Sequence, residues 1–225
     1  MPLLDLVLPQ RCLGCGGRGG IFCDACRSVL PRLAPPLCAR CGAPTAWPVE
    51  RCRECAGRRL AFVSARAAVG YDRRVRALVR GWKERGLRRL TALAADLVLE
   101  AMPRPEAGSV AWVPPVADRT LRRGHSTAES LARELARRWE LEPLPLLGRA
   151  RDARPQRGLA RPERRRNVAG AFRAEALVPA RVCLVDDVYT TGATVGAAAA
   201  ALRRAGARRV EVVAFARALR ALDWS

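Results

Sequence analysis

Two rhythms of apolar residues run along the second half of this chain. Short, continuous apolar stretches recur at Ser109 to Val116, Pro143 to Leu147, Val182 to Val185 and Arg208 to Phe215, the pattern of strands buried on both faces. Ala61 to Tyr71 is strand-like too. Between these stretches, apolar residues fall at helical spacing in Val75 to Trp82, Leu90 to Met102 and about Ser126 to Trp139. Val195 to Ala205 reads as a helix, with five alanines in a row from Ala197 to Ala201. Pro103 to Gly108 is a breaker-rich linker, and Arg217 to Ser225 a short tail. Before Ala61 neither rhythm holds, and cysteine takes over.

The stretch Val182 to Thr194 organises the rest. Its strand should end at two carboxylates, Asp186 and Asp187. A turn of small and hydroxylic residues follows, Thr190-Thr191-Gly192-Ala193-Thr194, and then the alanine-rich helix. A loop at a helix N-terminus is an anion site, because backbone N–H groups point into it and the helix dipole favours negative charge. Gly192 permits close approach of the backbone, and threonine hydroxyls add donors. Carboxylates only accept, so the acidic pair suits vicinal hydroxyls or a hydrated Mg²⁺. One ligand with both a phosphate and a diol satisfies both halves: a ribose 5-phosphate.

Eight of the nine cysteines lie in the first 55 residues, as four C-x-x-C pairs: Cys12/Cys15, Cys23/Cys26, Cys38/Cys41 and Cys52/Cys55. Two thiolates at this spacing grip one tetrahedral ion from a tight turn, so the eight suit one or two structural Cys₄ zinc sites. Segments this short bury too little surface to fold unaided, and zinc would supply the folding energy. Sequential pairing, crossed pairing and a single occupied site all satisfy the spacing, and disulfides are the rival chemistry. Cys183, inside a strand with no cysteine nearby, is expected to pack in the core.

Composition adds a bias. The 225 residues carry a formal net charge of +20, which favours polyanionic partners such as nucleic acid, phosphorylated substrates or an anionic membrane surface. Of 41 basic residues only Lys83 is lysine, and its compact ammonium makes it a candidate phosphate contact. From Arg151 to Phe172 there are seven arginines against Asp152 and Glu163, a loop able to close over a leaving pyrophosphate or to follow a nucleic-acid backbone. His125, the sole histidine, is given no catalytic role. No apolar run approaches the roughly 20 residues that span a bilayer. Met1 to Val7 is short and carries Asp5, against a signal peptide. With the cysteine usage, this gives a cytoplasmic expectation.

The run Val182 to Thr194 closely resembles the phosphoribosyl-pyrophosphate (PRPP) motif of type I phosphoribosyltransferases. The whole chain resembles the ComF family, in which a zinc-ribbon module precedes such a domain. Four pieces carry the resemblance: the paired C-x-x-C modules, Gly81-Trp82-Lys83-Glu84-Arg85-Gly86, Pro155-Gln156-Arg157-Gly158-Leu159 followed by Glu163-Arg164-Arg165-Arg166-Asn167-Val168, and the PRPP motif. The resemblance implies an α/β fold, a type I phosphoribosyltransferase-like doubly wound parallel sheet over 61–225, behind a double zinc ribbon over 1–60. It implies that Asp186 and Asp187 hold the ribose hydroxyls and that Thr190, Thr191, Gly192, Ala193 and Thr194 hold the 5-phosphate. Lys83, Arg122 and Arg123 would contact pyrophosphate, with Arg157 assisting its departure beside the two acids. Cofactors would be zinc and, with PRPP, Mg²⁺. Family members usually read Arg-Gly-Phe-Asn-Gln where this chain has Arg123-Gly124-His125-Ser126-Thr127, which alters any ligand contact made there. The implied function is phosphoribosyl transfer from PRPP to an acceptor, linked to natural competence. The alternative is a non-enzymatic competence factor that handles single-stranded DNA with proteins of the uptake machinery.

Overall fold

A computed structural model describes residues 11–18, 20–115, 125–150, 170–175 and 177–219. In chain order its elements are α1 (Asp24–Ser28), β1 (Ser64–Gly70), α2 (Arg73–Glu84), α3 (Leu90–Ala101), β2 (Ser109–Trp112), α4 (Thr127–Trp139), β3 (Glu142–Pro143), β4 (Leu147–Arg149), β5 (Phe172–Ala174), β6 (Arg181–Tyr189), α5 (Ala193–Arg204) and β7 (Arg209–Arg217). Five strands form one sheet in the order β1-β7-β6-β2-β3, every neighbouring pair parallel. The strands β4 and β5 make a separate antiparallel ribbon.

Both faces of the sheet are covered. Along β6, Val182 and Leu184 pack to one side with α5, Phe172, Phe62 and the second cysteine group. Cys183 and Val185 pack to the other with Trp82, Leu97, Leu131 and Leu135 from α2, α3 and α4. This is the doubly wound parallel sheet, and burial on both faces is why its strands read as unbroken apolar runs. Helix starts follow the capping chemistry of their sequences: Asp72 accepts from the Val75 N–H at 2.8 Å, and Ser126 from the Glu129 N–H at 3.3 Å. Among the described residues no helix is long and apolar enough to cross a membrane.

The Cys-rich segment wraps the β1 edge of the sheet. Between the two cysteine groups, the chain runs antiparallel to β1, with an Arg32–Val69 bridge. The Leu33 N–H donates to the Ala68 carbonyl at 3.0 Å, and the Gly70 N–H to the Pro31 carbonyl at 2.7 Å. An otherwise open edge is thereby paired. One cysteine group lies on each side of this edge. Leu13 of the first packs on Gly81 of α2, and Arg27 and Arg32 pair with Glu100 of α3. The second presses on β1 at Gly42, where φ is +70° and an added Cβ would lie 2.3 Å from the Ala65 carbonyl.

Three expectations shift. The strand of the acidic pair continues through Tyr189, so Asp186 and Asp187 are strand residues, paired along β7 up to Arg217. Pro143 to Leu147 is split: Glu142–Pro143 joins the main sheet, and Leu147 opens β4. Arg217, assigned to a tail, ends β7 and is only 2% exposed.

Candidate ligand cleft and zinc centres

From the central pair the chain departs in opposite directions. The helix after β2 leads outward to β3, while the helix after β6 leads to β7 on the other side. The gap between β2 and β6 at their carboxyl ends is therefore a topological switch point, where doubly wound sheets receive ligands. A cavity of about 270 Å³ lies there. It is lined by Lys83 of α2, Val113 to Pro115 after β2, His125 to Ala128 at the start of α4, and Arg149 of β4. From β6 and the following loop come Asp186, Asp187, Val188, Thr190 and Thr194.

The acids are not equivalent. Asp187 turns to the helix layer: Lys83 Nζ stands 2.7 Å from its Oδ1, and the Thr127 hydroxyl donates to its Oδ2. Asp186 accepts the Asp187 N–H at 2.9 Å. Burial, and next the neighbouring Asp187 charge, push the Asp186 carboxyl up to about 8, against a smaller opposing pull from Lys83. In the ligand-free cleft Asp186 thus holds its proton more tightly than an ordinary carboxyl. Hydroxyl donors or a cation would replace that proton.

The loop after β6 closes at the N-terminus of α5. Gly192 caps α5 with φ 72°, and the Ala193 N–H donates to the Thr191 hydroxyl at 3.3 Å. Gly192 is required twice, because a Cβ there would also lie 2.3 Å from Tyr189 Oη. Lys83, Asp186, Asp187, Thr190 and Thr194 meet at the cavity, whereas Thr191, Gly192 and Ala193 form the turn behind it. Arg122, Arg123 and Arg157 lie outside the described residues. Sequence reasoning missed Thr127 and Arg149. Thr127 stands where relatives were expected to carry glutamine, and its bond to Asp187 gives that departure a local role. Arg149 reaches the Pro114 carbonyl at 3.0 Å and lies over Phe172 at 4.9 Å. Its place at the head of the arginine-rich run in the sequence was the available signal. The imidazole of His125 lies 2.8 Å from the Trp82 carbonyl.

The cysteines gather sequentially, Cys12/Cys15/Cys23/Cys26 and Cys38/Cys41/Cys52/Cys55, each set with its sulfurs within 4.8 Å of one another. Sulfur pairs at 3.5, 3.6 and 3.8 Å match the roughly 3.8 Å edge of a tetrahedron with about 2.3 Å Zn–S bonds. Backbone N–H groups aim at sulfur in each: Gly14 and Cys23 at Cys12, Cys52 at Cys38. Burial pushes both of these thiols up, but the backbone donors outweigh it and hold Cys12 at about 6 and Cys38 at about 7. Burial pushes the partner thiols Cys26, Cys41 and Cys55 upward on balance, so four thiolates in one group would need a cation, and the donor set suits structural zinc. Cys183 is fully buried in β6, and burial raises its thiol.

The chain is similar to known proteins over most of its length. The double zinc ribbon domain family matches residues 3–56. Competence protein F of Haemophilus influenzae is 28% identical, across 92% of this chain and 97% of that protein. DNA utilization protein YhgH of Escherichia coli K12 is 31% identical, across 95% and 100%. Competence protein ComFC of Streptococcus pneumoniae is 26% identical, across 87% of each. Among solved structures, orotate phosphoribosyltransferase from Aeropyrum pernix is similar at a TM-score of 0.37 and 23% identity, across 66% of this chain and 67% of that one.

Proposed function

The chain belongs to the family of Competence protein F and DNA utilization protein YhgH, and from that premise we propose that it binds PRPP in the β2–β6 cleft as part of DNA uptake or use. One observation carries the reading: an acidic pair and a helix-capping anion loop face a single cavity. Asp186 and Asp187 accept from the ribose 2′- and 3′-hydroxyls. The loop from Thr190 to Thr194 receives the 5-phosphate through N–H groups and hydroxyls. Lys83 and Arg149 bring positive charge to the same cavity for the pyrophosphate. The oxygen donors there suit Mg²⁺, which would neutralise pyrophosphate charge. Transfer would follow from binding: an acceptor forms a bond at the ribose C1, and the bond to pyrophosphate breaks.

The net charge of +20 favours a second ligand, single-stranded DNA, held with proteins of the uptake machinery. The acidic pair argues against DNA in this cavity, since carboxylates repel a phosphodiester and find no free 2′,3′-diol on it. Titrating Mg²⁺–PRPP and an oligothymidylate separately into wild type and Asp186→Asn/Asp187→Asn tests the reading. PRPP affinity should vanish in the variant while DNA affinity holds or rises. Equal loss of both, or PRPP affinity untouched, would contradict it.

A further inference from the structure

The loop after β6 is gripped from behind by the zinc module. Arg58 follows the last cysteine of the second group. Its Nη2 donates to the Thr191 carbonyl at 2.7 Å. The rest of Arg58 is fixed by its own module: Nη1 donates to the Glu54 carbonyl at 3.4 Å, its N–H to the Cys55 carbonyl at 3.2 Å, and its carbonyl accepts from Arg51 at 3.0 Å. A second prop stands beside it. The buried guanidinium of Arg217 lies 4.6 Å from the centre of the Tyr189 ring, donates to the Cys41 carbonyl at 2.7 Å, and pairs with Glu54 at 3.0 Å. Tyr189 in turn fills the space under Gly192.

A planar trans peptide points its C=O and N–H in opposite directions. A Thr191 carbonyl held back toward Arg58 therefore turns the Gly192 N–H away from the module, to the side on which α5 receives an anion. We propose that Arg58 is a positioning residue of the phosphate loop, and that the second cysteine group, through Arg58, is part of the ligand-binding apparatus as well as a staple for folding. This rests on the reading of the loop as a phosphate site. It assigns to the zinc module a task in recognition: fixing one peptide plane without touching ligand.

The test compares wild type, Arg58→Ala and Arg58→Lys, all zinc-loaded. Amide exchange at residues 190–195 is measured without ligand, and affinity for ribose 5-phosphate and Mg²⁺–PRPP by titration. Loss of one charge-assisted bond predicts that Arg58→Ala keeps both zinc ions, exchanges faster at Gly192 to Thr194 alone, and binds both ligands about tenfold more weakly. Arg58→Lys should recover part of both effects, since an ammonium can make the single bond to Thr191. Unchanged exchange and affinity in Arg58→Ala would overturn the proposal. So would zinc loss with faster exchange throughout, which would mark a purely structural arginine. Should wild type bind neither ligand, the phosphate reading fails, and the exchange data still decide whether Arg58 holds the loop.

Discussion

At the scale of single residues, the upward shift of Asp186 in the cleft has a measurable consequence. Asp186 is held near 8 in the folded chain and titrates near 4 when unfolded. The folded state therefore binds the proton more tightly. Stability of the ligand-free protein should fall as pH rises from about 4 to about 8, then level off. Asp186→Asn removes the titration. Its melting temperature should be higher than wild type at pH 8, and the difference should shrink towards pH 5. Parallel melting curves for the two proteins across that range would contradict this account. The sequence displayed the carboxylates but not their inequality. That arises from the desolvation of Asp186 and from Lys83, 104 residues away, and Thr127, which both bond to Asp187.

At the scale of elements, α5 offers a controlled pair of glycines. Alanine at Gly192 must adopt a left-handed backbone, costing about 1–2 kcal/mol, and must also displace a Tyr189 ring pinned beneath Arg217. Gly196 lies in the same helix with nothing within 4 Å of an added Cβ, and alanine there should stabilise by about 0.5–1 kcal/mol. Thermal denaturation should separate the two in sign, and only Gly192→Ala should lose phosphate affinity. Similar melting temperatures would show that the turn is looser than described. The helices and long strands of the sheet were legible because their periodicity survives in sequence. The split at Pro143 to Leu147 was not, because a continuous apolar run does not reveal a change of sheet. The buried Arg217 was equally hidden. An arginine after an apolar run normally reads as solvated, and Glu54, Tyr189 and the Cys41 carbonyl from distant segments make its burial tolerable.

At the scale of the whole molecule, the cysteine module and the sheet share one interior. Cys38, Cys41 and Cys55 are buried in the same cluster as Leu184, Val212 and Ala198, and the segment between the cysteine groups covers β1. Zinc removal should therefore destabilise the entire chain and expose a sheet edge. Chelation should lower a single cooperative melting transition and raise light scattering. An undisturbed transition for the sheet, or a soluble monomeric fragment 61–225, would contradict this. The C-x-x-C spacing announced the metal chemistry in sequence, but not that the module closes an edge and reaches the loop after β6. The measurement that bears most directly on the whole account is calorimetric titration of the zinc-loaded protein with Mg²⁺–PRPP, beside Asp186→Asn/Asp187→Asn. Saturable one-to-one binding by wild type, absent from an equally folded variant, is the predicted result. No heat of binding with folded wild type, or equal binding by both, would contradict the assignment of the cleft.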